Sequence, residues 1–182
     1  PVSCFGTEYH CVPGLGAPSK LPLPLNADIA GVLDGRAIVT LREAWNYQGK
    51  VFSQGSVVAY DLQRGTAEPV FAANDTQSIE TVAVGKTGLV VQYLENVSGK
   101  AVRVVRTPQG EWRATPIALP ANGVLKIASA GGGTDDAMLS FESLTSPLTL
   151  YYASANGAIE QIFTTPAAYD ATDVVVEQRF AM

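Results

Sequence analysis

Three stretches of this chain repeat one order of strands and turns, and such a repeat constrains a fold more than any single residue does. In the first, residues 28–33 are an apolar run, Asp34-Gly35 is a turn, 37–41 is a second run, 55–62 a third and 68–71 a short fourth. The order restarts at 79–84, turns at Lys86-Thr87-Gly88, and continues through 89–94, 100–105 and, past a turn at Gln109-Gly110, residues 112–119. The third copy opens at 124–128 and runs through 137–141, 148–152 and 158–163. Within it Ser146-Pro147 is a breaker, because proline fixes its own φ. Asn156-Gly157 is a strong hairpin signal, since both positions tolerate φ > 0. The runs are rich in β-branched and aromatic residues, as strands are. No window carries an apolar stripe at helical spacing; residues 167–172 could form one short turn at most. Ile29, Ile79 and Leu125 hold equivalent places, 50 and 46 residues apart.

That period is the length of a four-stranded blade of a β-propeller. The expected fold is all-β: a partial β-propeller of about three and a half four-stranded antiparallel blades plus one departing C-terminal strand. Residues 1–25 read as half a blade, its strands three and four, with strand-like runs at 7–12 and 20–23. Full blades occupy 26–72, 78–119 and 124–163, and 164–182 is a linker and first strand leading away. A lone blade leaves both faces apolar, and stacking buries each face on the next. The imperfect alternation in Val102-Arg103-Val104 and Leu148-Thr149-Leu150 fits strands covered on both sides. An arc of this kind keeps two open faces, so the chain is expected to self-associate through them.

Composition excludes several classes of function. The apolar share of 47% argues against disorder. A net charge of −5 without a Lys/Arg cluster argues against a nucleic-acid partner. No apolar run reaches the roughly 20 residues that span a bilayer, and no signal peptide is visible. No membrane partner is expected. Only 16% of residues are charged, which implies a poorly charged surface or extra buried interface. If one strand carries Cys4 and Cys11, their Cα atoms stand roughly 23 Å apart at about 3.3 Å per residue. A disulfide needs about 7 Å or less. Two unpaired, buried thiols are the expectation.

Residues that could carry chemistry are few. His10 is the one histidine, and it lies in an alternating strand-like run, so an edge-strand role is favoured over that of a base. The nucleophile elbow Gly-x-Ser-x-Gly is absent. Ser129-Ala130-Gly131-Gly132-Gly133 lacks its leading glycine and reads as a loose turn; no Lys-Ser/Thr comes after it to make a phosphate loop. Asp135-Asp136 lacks the surrounding carboxylates of a calcium loop and reads as a solvated turn. One histidine and two cysteines do not supply a zinc site. No metal and no cofactor are expected. Asn74-Asp75-Thr76 and Asn96-Val97-Ser98 match the glycosylation triplet, a pattern that also arises by chance. Trp45, Tyr47 and Phe52 lie in or beside a long loop, 44–55, and form the candidate interface. The competing reading makes them aromatic plugs between blades.

Several of these runs resemble the prolyl oligopeptidase family of serine peptidases. Phe141, Leu144-Thr145-Ser146-Pro147 and Leu150-Tyr151 are similar to its last propeller blade. Pro166, Tyr169-Asp170 and Val175-Val176-Glu177-Gln178-Arg179-Phe180-Ala181 are similar to the bridge from its propeller to an α/β-hydrolase domain. Leu94-Glu95-Asn96-Val97 stands where the family has Leu-Asp-Asn-Val, and Trp45 with the loop to Gly55 also has its counterpart there. The resemblance spans nearly all of the chain, strongest from Ser56 onward and weakest before Asn26. It implies a fragment that stops within a hairpin, with the catalytic serine, aspartate and histidine all beyond Met182. It further implies a cytosolic or periplasmic parent that cleaves short peptides, probing size with its propeller, and a missing α/β-hydrolase domain as partner. The chain alone is then expected to hydrolyse nothing. A non-enzymatic propeller that binds a partner along its rim, or the propeller of an inactive peptidase homologue, are the alternatives.

Overall fold

The computed structural model describes residues 6–12, 14 and 16–177, and among them every regular element is a strand. β1 (His10–Cys11) and β2 (Ser19–Lys20) make a short antiparallel pair. The Leu21 N–H donates to the Tyr9 carbonyl at 2.8 Å and Thr7 N–H to Leu25, which ties the flanks of that pair together.

Three four-stranded antiparallel meanders come next. The first contains β3 (Asp28–Leu33) and β4 (Arg36–Thr40). A side hairpin then intervenes, β5 (Trp45–Tyr47) with β6 (Lys50–Phe52). The meander closes with β7 (Ser56–Asp61) and β8 (Ala67–Ala72), in the order β3-β4-β7-β8. The second is β9 (Gln77–Val84), β10 (Gly88–Glu95), β11 (Ser98–Arg106) and β12 (Trp112–Pro116). The third is β13 (Val124–Ala130), β14 (Ala137–Glu142), β15 (Thr149–Ala153) and β16 (Ile159–Thr164). Both are paired in sequence order.

Among the described residues no ladder joins one meander to the next; they stack face on face as blades, and β3, β9 and β13 run side by side. Between the first two sheets lie Ile38, Val57, Leu89, Val91 and Val104, all essentially without solvent contact. Leu125, Leu139, Phe141 and Ala101 fill the next seam. Leu21, Leu23, Tyr9 and Cys11 cover the outer face of the first sheet. Each large side chain so buried is worth about 1.5–3 kcal/mol. These seams hold the arc together.

Turn chemistry sets the register. Asp34 (φ 48°) and Gly35 (φ 72°) close a two-residue turn between Leu33 and Arg36, as do Gln48 and Gly49 between Tyr47 and Lys50. Both turns have φ > 0 at each central position, which matches the strand twist. Asn156-Gly157 lies in the hairpin between β15 and β16, in a loop longer than two residues: Gly157 alone takes positive φ, and the Ser154 N–H closes on the Ala158 carbonyl. No strand is formed over residues 165–177, and the rest of the expected departing strand, 178–182, lies outside the described part.

Candidate functional site

The loop 44–55 is a hairpin whose aromatic face turns inward. Trp45 stacks on Tyr47 with centroids 4.7 Å apart, and Phe52 and Tyr60 complete the cluster at 5.4 and 6.4 Å from Trp45. Trp45 and Phe52 are buried against Leu41 and Val58, so the hairpin presents Lys50 and Val51 to solvent instead of these rings. The physical reason is period: residues 45, 47 and 52 fall on one face of the β5–β6 pair, where Trp45 opposes Phe52. The Tyr47 hydroxyl donates to the Gly65 carbonyl at 2.9 Å. Burial, the neighbouring Tyr47 and Asp61 push the Tyr60 hydroxyl up to about 12. An interface here would have to use the tip, with the three rings as its support.

His10 is exposed on β1 opposite Lys20. Cys11 is a free thiol, half-buried; Cys4 lies outside the described residues. Asn74 closes a turn onto Thr76, and Asn96 occupies a left-handed turn position at φ 48°. Gly131, Gly132 and Gly133 all take positive φ in the connection to β14. Among the described residues no three His, Cys, Asp or Glu side chains gather in a metal-binding group, and none of the buried side-chain polar atoms lacks a partner.

Asp135-Asp136 is more than a solvated turn. Asp135 reaches from the third sheet to the second, accepting from Thr87 N–H at 2.8 Å, Thr87 Oγ1 at 2.6 Å and Gly88 N–H at 3.1 Å. Partial burial opposes its charge, but these donors and Arg103 outweigh it and hold the carboxyl below its usual range. Asp136 accepts from the Thr134 hydroxyl at 2.7 Å and the Ala155 N–H at 2.8 Å, which lower its pKa as well. Arg103 returns across the seam to the carbonyls of Asp135, Ala153 and Ser154. Deeper in, the buried Gln92 amide donates to the Leu125 carbonyl at 2.8 Å and accepts from Ile127 N–H at 3.3 Å. The first seam is held the same way. Glu68 takes Arg106 and the Trp112 indole N–H, each at 3.1 Å, and faces Arg36 at 3.4 Å.

At the opposite end of the strands, the turns of the second and third sheets converge. Asn122 N–H donates to Ser98 Oγ at 3.0 Å and Gly99 N–H to the Gly123 carbonyl at 2.9 Å. These turns border an open, mainly apolar groove of about 700 Å³, with Val97, Val124, Leu144 and Val176 on its walls. Val97 stands at φ 67° and is 81% exposed.

Residues 37–165 match the domain family described as "Prolyl oligopeptidase, N-terminal beta-propeller domain", more than half of the chain. The chain belongs to that family. Over 97% of its length this prolyl oligopeptidase-type propeller is 34% identical to the "Uncharacterized peptidase y4nA" of Sinorhizobium fredii (strain NBRC 101917 / NGR234). The alignment takes in 26% of that relative. A post-proline cleaving enzyme from Rickettsia typhi superposes with a TM-score of 0.81 at 17% identity, over 96% of this chain and 27% of that one. Oligopeptidase B from Leishmania major gives 0.64 at 14% identity, over 96% and 26%. At these identities the superpositions establish the propeller fold. The propeller chain thus spans about a quarter of the length of the relatives it matches.

Proposed function

We propose that this propeller chain is the gating part of a larger serine-type oligopeptidase that hydrolyses short peptides. The observation that carries the reading is the stack of family-type blades over 37–165 in a chain whose 34%-identical relative is named a peptidase. The partner is an α/β-hydrolase domain of the same parent polypeptide, and it supplies the serine, histidine and aspartate. The propeller contributes shape. Its blades are locked by buried seams, so a folded protein cannot pass between them, whereas a short extended peptide is thin enough to reach an enclosed site. Most of the exposed residues of the inner strands, among them Asp28, Ala30, Ser78, Glu80, Lys126 and Ala128, are small or polar and suit a water-filled approach, with Val32 and Val124 as apolar exceptions. Separated from its parent, the chain self-associates through uncovered sheet faces: Ile162 and Phe163 on β16 stay 45% and 57% exposed.

The test compares this chain with the longer polypeptide that contains it on a proline-containing chromogenic peptide and on a folded protein. Turnover of the peptide by the longer form only, with the folded protein spared, is expected. Peptide turnover by the shorter chain, or none by the longer form, overturns the reading.

A further inference from the structure

We propose that the cleft between the Asp34-Gly35 and Lys86-Thr87 turns, at the seam of the first two sheets, binds a singly charged carboxylate that carries an apolar body. The C-terminus of a short peptide and a small aliphatic acid both have that chemistry.

The first observation comes from the repeat itself. Each sheet has a turn between its first two strands: Asp34-Gly35, Lys86-Thr87 and residues 131–136. At the second seam the third sheet's turn sends a carboxylate across to its neighbour. Asp135 there accepts from the Thr87 N–H and hydroxyl and from the Gly88 N–H, with Arg103 beside it. At the first seam the second sheet's turn brings a cation instead. The Lys86 N–H is fixed on the third sheet, donating to the Thr134 carbonyl at 3.2 Å, and Lys86 lines the cleft towards the first sheet. What closes one seam as an acid of the chain is left at the other as an open cleft of about 330 Å³.

The second observation is the charge of its walls. Four charged residues line the cleft, and three are cations: Arg36, Lys86 and Arg106 against Asp34. Arg36 is engaged, with Asp34 at 2.9 Å, Glu68 at 3.4 Å and Asp61 at 3.7 Å. Arg106 gives Glu68 its Nε at 3.1 Å and one terminal nitrogen at 3.5 Å, which leaves the other terminal nitrogen to spare. Among the described residues the Lys86 ammonium has neither a hydrogen bond nor an ion pair. One negative charge on these two spare cations is matched, and charge-assisted hydrogen bonds of this kind are the strong ones. A doubly charged phosphate meets Asp34, Glu68 and Asp61 close by and is disfavoured.

The third observation is the apolar wall. The Trp112 indole N–H is held by Glu68 at 3.1 Å, which fixes the ring at the cleft, and Leu33 lines it too. A ligand with an apolar group next to its carboxylate uses both halves of such a site.

The experiment reads the two tryptophan indole N–H signals in the magnetic resonance spectrum of the isotope-labelled chain. Trp112 lines the cleft, whereas Trp45 lies in the hairpin cluster and serves as the internal control. Trp112→Phe assigns the signals. The chain is titrated at equal ionic strength with N-acetyl-alanyl-leucine, its C-terminal amide, isobutyrate and chloride. The free-acid peptide is expected to shift the Trp112 signal saturably and leave Trp45 in place, while the amide and chloride move neither. Lys86→Met is expected to weaken binding roughly tenfold, as loss of one charge-assisted hydrogen bond does. Lys50→Met, at the hairpin tip, should leave binding unchanged. Lys86 is exposed and its bond to the third sheet is made by the main chain, so the variant keeps the fold. Tighter binding of the peptide than of isobutyrate supports the site with a peptide end as ligand; equal binding supports it with a small acid. Equal shifts by acid and amide overturn the proposal. So do a shift that chloride reproduces and undiminished binding in Lys86→Met.

Discussion

Asp135 and Thr87 belong to different blades, yet one carboxylate of the former accepts both the N–H and the hydroxyl of the latter, at 2.8 and 2.6 Å. With no ladder crossing between the described sheets, such side-chain bridges, together with isolated main-chain bonds such as Gly99 N–H to the Gly123 carbonyl, are the directional part of an otherwise greasy seam. Replacing Asp135 by Ala removes the acceptor for three donors at once. A loss of about 2–3 kcal/mol is expected, read as a lower urea midpoint with an unchanged slope. Asp135→Asn keeps one acceptor oxygen and should lose about half as much.

Carboxylates also make stability depend on pH, with a definite sign. Asp135, Asp136 and Asp61 all have folded pKa values below the ordinary carboxylate value. The unfolded chain therefore takes up protons first as pH falls, and stability drops with it. The stabilisation is fully present above about pH 4 to 5 and disappears as pH falls through the depressed folded values. Denaturation midpoints measured between neutral and strongly acidic pH should stay level and then decline. In Asp135→Asn the decline should be shallower; an identical profile would mean that this carboxylate is not among the groups responsible.

Gln92 is the deeper bridge. Gln92→Leu keeps the volume but orphans the Leu125 carbonyl and the Ile127 N–H, at an expected cost of about 2 kcal/mol. Thermal melting followed by circular dichroism should fall by about 4–8 °C. Gln92→Glu should cost more, since it buries a charge beside a carbonyl oxygen.

Gly99 has a packing reason to be glycine. A Cβ there would lie 2.6 Å from both the backbone nitrogen and the Cβ of Leu125, on the neighbouring blade. Gly99→Ala should push β11 and β13 apart and destabilise by about 1–3 kcal/mol. Melting of the variant tests it, and a wild-type midpoint would show that the seam has slack.

Val97 predicts a gain. Val97→Asn relieves a left-handed β-branched residue and should stabilise this chain by about 1 kcal/mol, or about 2–4 °C in the melting midpoint. No change would mean that the turn is not strained.

Much of this fold was legible in the residues alone. The blade order came from runs such as 89–94 and 100–105 and from Asp34-Gly35, because period-2 burial and positive-φ turns are local properties. The bridges were not legible. Gln92, Arg103 and Glu68 act through partners some 30 to 50 positions away in the chain, and one sequence does not show which neighbour a polar side chain meets. The signal on offer was their place: a polar residue in the middle of an apolar strand must find a partner when buried. The aromatic loop was half legible. Trp45, Tyr47 and Phe52 share a face by count, but only the folded hairpin shows that this face is covered by Leu41 and Val58. Val97 was invisible, since nothing in Asn96-Val97 states that valine will accept φ > 0.

Arg103 grips three main-chain carbonyls across its seam. Such oxygens are common to every amino acid and do not titrate. The grip itself is therefore indifferent to the side chains at 153 and 154, although burial among Leu139 and Phe141 keeps residue 153 small for its own reason, whereas an insertion or deletion that shifts the loop's path would release it.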